Sequence, residues 1–149
     1  MLSGESDLES INLLVCERVL TEQDSVVSAI RIVDVFWVGD PPADVPVERT
    51  AVIMNMLAMG RFKPGAPGAK HSMQFKLIRP NGEESPLLDA AEIMIEPKVD
   101  GAPAAFTHAI SVGVIPRVMG VHYAAFVLDG IEVARSSFTL LRKAGNPVE

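Results

Sequence analysis

A single cysteine, Cys16, stands in the 149 residues, so no internal disulfide can form and a reducing compartment suits the chain. No run of lysine or arginine occurs, and the net charge is −6 with a pI near 5.0. A phosphate-binding footprint is therefore excluded, and no nucleic-acid partner is expected. Long hydrophobic runs are also missing. The longest stretch without Asp, Glu, Lys or Arg is residues 101–116, and it carries Pro103, Thr107, His108, Ser111, Gly113 and Pro116. That is no membrane span, and no membrane partner is expected. The first residues, Met1-Leu2-Ser3-Gly4-Glu5, have neither the basic nor the apolar region of a signal peptide, and the C-terminus has no lipidation box. The chain reads as soluble and cytoplasmic. Aromatic residues make up only 5% of it.

What is present is aliphatic and full of turns. Hydrophobic residues reach 48% against 21% charged, with mean hydropathy +0.27, which excludes a disordered polymer. Gly and Pro number 11 each, enough for many turns but not for low complexity. Helical periodicity is hard to find, while alternation and short β-branched runs are frequent. Strands are expected over residues 11–20, 26–38, 47–60, 70–79, 92–96, 106–114, 121–128 and 131–141. The cleanest is 70–79, where Met73, Phe75 and Leu77 alternate with Ser72, Gln74 and Lys76. Turn signals punctuate the rest: Gln23-Asp24-Ser25, Asp40-Pro41-Pro42, the Pro/Gly stretch at 64–68, Asn81-Gly82 and Asp129-Gly130. Residues 1–9 read as a flexible acidic leader, 10–143 as one domain and 144–149 as a frayed tail. The prediction is an all-β, antiparallel two-sheet sandwich of about eight strands with little or no helix; a closed barrel is the runner-up.

Two segments support this by likeness. Residues 120–134, from Gly120-Val121-His122-Tyr123 through Asp129-Gly130, resemble the terminal hairpin of immunoglobulin-like sandwiches, with His122 where a tyrosine is usual. Leu14-Val15-Cys16-Glu17, followed by Val27-Ser28-Ala29-Ile30-Arg31-Ile32-Val33-Asp34, is similar to a group of small uncharacterised prokaryotic β-sandwich proteins. The resemblance implies an immunoglobulin-like fold and no catalytic residue.

Candidate residues follow from chemistry. His71, His108 and His122 fall on three different expected strands, so a metal site would have to be assembled by folding alone; no His-x-His or Cys-x-x-Cys spacing exists. No metal or other cofactor is expected. Cys16 is a possible nucleophile only with a cationic or imidazole partner, and a mid-strand cysteine serves more often as a small buried hydrophobe. If residues 23–25 close a three-residue loop, Glu17 falls opposite Arg31, and a half-buried cross-strand ion pair is expected on an otherwise apolar face. Asp34 lies among Ile30, Ile32 and Phe36, either as a site residue or where a strand leaves the core. Val52, Met54, Met56 and Met59 sit on a strand with no polar face. Either another segment covers it or a second subunit does, which makes them the candidate interface. No catalytic set stands out. The expected function is a non-enzymatic interaction or structural module that self-associates through an apolar strand face, with a homo-oligomer or protein partner. The alternatives are a small-molecule or metal site built on the histidines, and a phage or virion structural component.

Overall fold

Alternation of Met73, Phe75 and Leu77 against polar neighbours produces a strand with one buried face, and the computed structural model places all three inside. Residues 7–21, 27–39, 43–46 and 50–143 are described; the expected turn at 23–25, most of the leader and the tail at 144–149 lie outside them. Ten strands occur among the described residues, and no helix. They are β1 (Leu8–Thr21), β2 (Val27–Ile32), β3 (Val35–Val38), β4 (Val52–Phe62), β5 (Ala69–Ile78), β6 (Glu84–Pro86), β7 (Ala91–Ile95), β8 (Ala105–Val114), β9 (Gly120–Leu128) and β10 (Ile131–Arg142).

Two sheets result. One has the order β2-β1-β4-β8; the other runs β3-β10-β9-β5, with β6 and β7 each pairing with part of β5. All pairings are antiparallel except β3 beside β10, which is parallel. The central triplets β1-β4-β8 and β10-β9-β5 reproduce the A-B-E and G-F-C order of immunoglobulin sandwiches, so the fold is an all-β, immunoglobulin-like sandwich.

The long strand expected over 26–38 is two strands in different sheets. The Val33 amide still donates to the Val15 carbonyl of the first sheet, while the Asp34 carbonyl already accepts from Thr139 of the second. Asp34 is exposed and marks this crossing. At the other end of the chain, the Asp129-Gly130 hairpin has both residues at positive φ (51° and 80°), as a type I′ turn requires. Its aspartate also ties β5 to the turn. One carboxylate oxygen accepts from the Ser72 amide at 2.9 Å, and the other lies 2.7 Å from His71 Nδ1. Asp129→Ala should cost about 1–2 kcal/mol, and Asp129→Asn, which tolerates the left-handed region and retains the amide bond, should cost less. Urea denaturation of the two variants checks the order.

The scarce aromatics are concentrated in the core. Phe62, Phe106, Phe126 and Phe75 form a continuous run with centroid separations of 6.0, 5.9 and 5.1 Å. Phe36 meets Phe138 edge to face at 5.9 Å. Gly60 is required beneath this run, because any Cβ there would overlap the Phe106 ring.

Candidate functional site

The three histidines are kept apart by the phenylalanines. His71 stacks on Phe62 at 4.8 Å at one end of the aromatic run, and His108 packs on Phe75 at 5.5 Å at the other. His122 lies elsewhere, stacked on Phe138 at 5.3 Å. Among the described residues no group of three His, Cys, Asp or Glu side chains could share a metal ion. His122 is the buried polar residue of the core, and its Nδ1 donates to the Gly120 carbonyl at 3.0 Å. It thus occupies the interior place of the usual tyrosine, while Tyr123 points outward.

Burial pushes the pKa values of His108 and His122 below the ordinary 6.5. For His122 the Arg79 charge adds to this, and the bond to Gly120 opposes it. The folded chain therefore holds both rings neutral where the unfolded chain binds protons. Stability is complete above about pH 6.5 and falls as the pH drops below it. The urea midpoint should decline between about pH 7.5 and about pH 5.5, and the decline should shrink when both histidines are replaced by phenylalanine. A flat profile over that window would contradict the assignment.

Cys16 is fully buried, and burial raises its thiol pKa, which opposes the nucleophile reading. Arg31 Nε lies 3.0 Å from Glu17 Oε2, in the register set by Cys16 opposite Ile32 and Arg18 opposite Ile30. The pair is exposed rather than half buried, because no described β2 side chain belongs to the core and Ile32 beside it is itself exposed. Such a contact contributes under about 1 kcal/mol. Arg31 also adopts φ 54°, an unusual left-handed conformation for a strand residue.

Of the two readings of the methionine strand, cover by another segment of the chain is what Met54 and Met56 show. Met54 and Met56 are 0% exposed and Val52 packs against the core, all on the inner face of β4. Met59 faces the other way and is half buried. On the outer face of β4 Leu57 is also buried, whereas Ile53 is exposed.

A group of exposed apolar side chains lies on the opposite sheet. Pairing of Trp37 with Leu141, of Val121 with Thr139 and of Tyr123 with Ser137 sets these side chains on the outer face of β3, β10 and β9. Trp37 is 65% exposed, and Val121, Leu141 and Tyr123 are exposed too. The Arg135 guanidinium lies 5.2 Å from the Tyr123 ring centre and is held there by two bonds to Glu132, at 2.9 and 3.0 Å. That bidentate grip lowers the Glu132 pKa and raises that of Arg135. Sequence reasoning missed this face because it carried the β2 alternation straight through Asp34, where the chain changes sheets.

A separate open cleft of about 430 Å³ lies at one end of the sandwich. Leu77, Leu87, Val114 and Ile115 line it, with Arg79, Arg117 and Glu83, and no histidine contributes. Arg79 donates to Ser85 Oγ at 3.0 Å.

Comparison with known proteins adds little beyond the fold. No family model and no curated protein matches the chain. Among solved structures, the alkylpurine DNA glycosylase AlkC of Pseudomonas fluorescens, bound to DNA containing an abasic-site analogue, aligns at TM-score 0.44 and 12% identity. The alignment covers 72% of this chain but only 27% of the glycosylase. An immunoglobulin-like protein from Pseudomonas aeruginosa aligns at TM-score 0.35 and 14% identity over 93% of this chain and 100% of its own. Such scores carry no argument about activity.

Proposed function

We propose that this chain is a non-enzymatic interaction module of the small prokaryotic β-sandwich kind, which binds another protein through the outer face of β3, β10 and β9. The observation that carries the reading is the grouping of Trp37, Tyr123 and Arg135 on one sheet face beside Leu141 and Val121. Trp, Tyr and Arg are the residue types that dominate binding energy at protein interfaces. A tyrosine and arginine already fixed against each other lose little freedom on binding. The single buried thiol and the acidic charge support a cytoplasmic setting.

The test is photocrosslinking in the native cell with benzoylphenylalanine placed at Trp37, at Tyr123 and, as an exposed control, at Val99. A discrete protein adduct from positions 37 and 123, absent from 99, is expected. Equal labelling at all three would reject the face. A second reading rests on the cleft, whose volume is of small-molecule size and whose lining includes Arg79. Titration with a simple carboxylate should then move the amide resonances of residues 79 and 85 before any others.

A further inference from the structure

Strand β8 ends the first sheet, and among the described residues no strand pairs with its other side. It is the long regular edge of the molecule. Its ten residues run in unbroken register along β4, with no bulge, no proline and no charged side chain. The other edges are blunted in the ways sandwiches normally use. Strand β3 has four residues, the β5 edge is divided between β6 and β7, and β2 carries Arg31 in a left-handed conformation.

The register shows which backbone groups β8 offers. The Phe62 amide donates to the Ala104 carbonyl, so residues 106, 108, 110, 112 and 114 bond to β4. Residues Ala105, Thr107, Ala109, Ser111 and Gly113 then present their N–H and C=O groups to the open side. We propose that this edge pairs with the same edge of a second copy, antiparallel about a two-fold axis at Ala109, to make one continuous eight-stranded sheet. This goes beyond the Trp37 face, uses the other sheet, and supplies the interaction module with a partner of its own kind.

The edge is complementary to itself. With Ala109 opposite its own copy, Thr107 of one chain faces Ser111 of the other and Ala105 faces Gly113, so every outward side chain at the seam is small. Five such pairs exchange about ten hydrogen bonds. No like charges meet, because residues 101–116 contain none. On the inner side, the half-buried Phe106 and His108 come to lie across from Val112 and Ile110 of the second copy, which covers the flank of the aromatic run.

Sedimentation velocity of the full chain from about 1 μM to about 1 mM tests this, together with two charged variants. Ala109 is exposed, so Ala109→Lys and Ala109→Glu should keep the thermal midpoint of the wild type. Each alone should weaken the dimer at least tenfold by placing two like charges face to face, and an equimolar mixture should restore it. A wild type that stays monomeric throughout, or charged variants that dimerise like it, overturns the proposal. Trp37→Ser separates the two readings. Loss of dimer in that variant alone would move self-association to the Trp37 face and remove it from β8. A dimer that survives Trp37→Ser and fails in both charged variants assigns it to the β8 seam.

Discussion

Met56→Lys should unfold the protein rather than dissociate it. Met56 has no exposed surface, it faces Val15 of β1 and Ile110 of β8 across the centre of its sheet, and its side chain belongs to the common core. A lysine there has no carboxylate to meet among the core side chains, which are apolar apart from His122. Burying an unpaired charge costs several kcal/mol even after the surroundings relax. The total stability of a domain this size is only about 5–15 kcal/mol. Circular dichroism at room temperature should show a lost or severely weakened β signal, and the midpoint of any residual transition should fall steeply. The same substitution at a subunit interface would leave a folded monomer, so the experiment discriminates between core and contact surface directly. The companion change Met56→Leu conserves volume and should cost under about 1.5 kcal/mol.

Phe126→Ala should be the most damaging truncation in the core, at about 3–5 kcal/mol. Phe126 is fully buried on the central strand β9 and touches both Phe75 of its own sheet and Phe106 of the opposite one. Its removal interrupts the aromatic run where it crosses from one sheet to the other. Relaxation into the void is limited, because Phe106 is already seated over Gly60 and Phe75 is held by its strand. For a chain of about this length the thermal midpoint should drop by roughly 10–15 °C. Thermal denaturation alongside Phe36→Ala makes the comparison. Phe36 is half buried on an edge strand, and its loss should cost distinctly less.

Strong local patterns translated well into structure. The alternation in β5 and the Asp-Gly pair before β10 dictate face and turn from a few neighbouring residues, and both appear where the sequence places them. What misled was information held elsewhere in the chain. Met54, Met56 and Ala58 of β4 belong to the core, and nothing in the residues of an all-apolar strand tells which of its two faces the opposite sheet will cover. The sheet crossing at Asp34 has no proline or glycine to announce it, so a single strand over 26–38 is the natural reading. Strand β6 is three residues long and includes Pro86, below the length at which any period can be seen. The cleft is made of turns and strand ends contributed by three separate stretches, and its lining is legible only once they meet.

The parallel pairing of β3 with β10 also sets the order in which the chain can be completed. Val35 and Thr139 are neighbours in the sheet but roughly a hundred residues apart along the backbone. Closing so long a loop is entropically costly and belongs late in folding. During synthesis β10 leaves the ribosome after the other nine described strands, so β3 has no partner while they are being laid down. Throughout that interval Phe36 and Trp37 lack the strand beside which they pair. The single tryptophan thus sits on a segment that must wait for β10, and its fluorescence should report the moment when these two distant stretches meet.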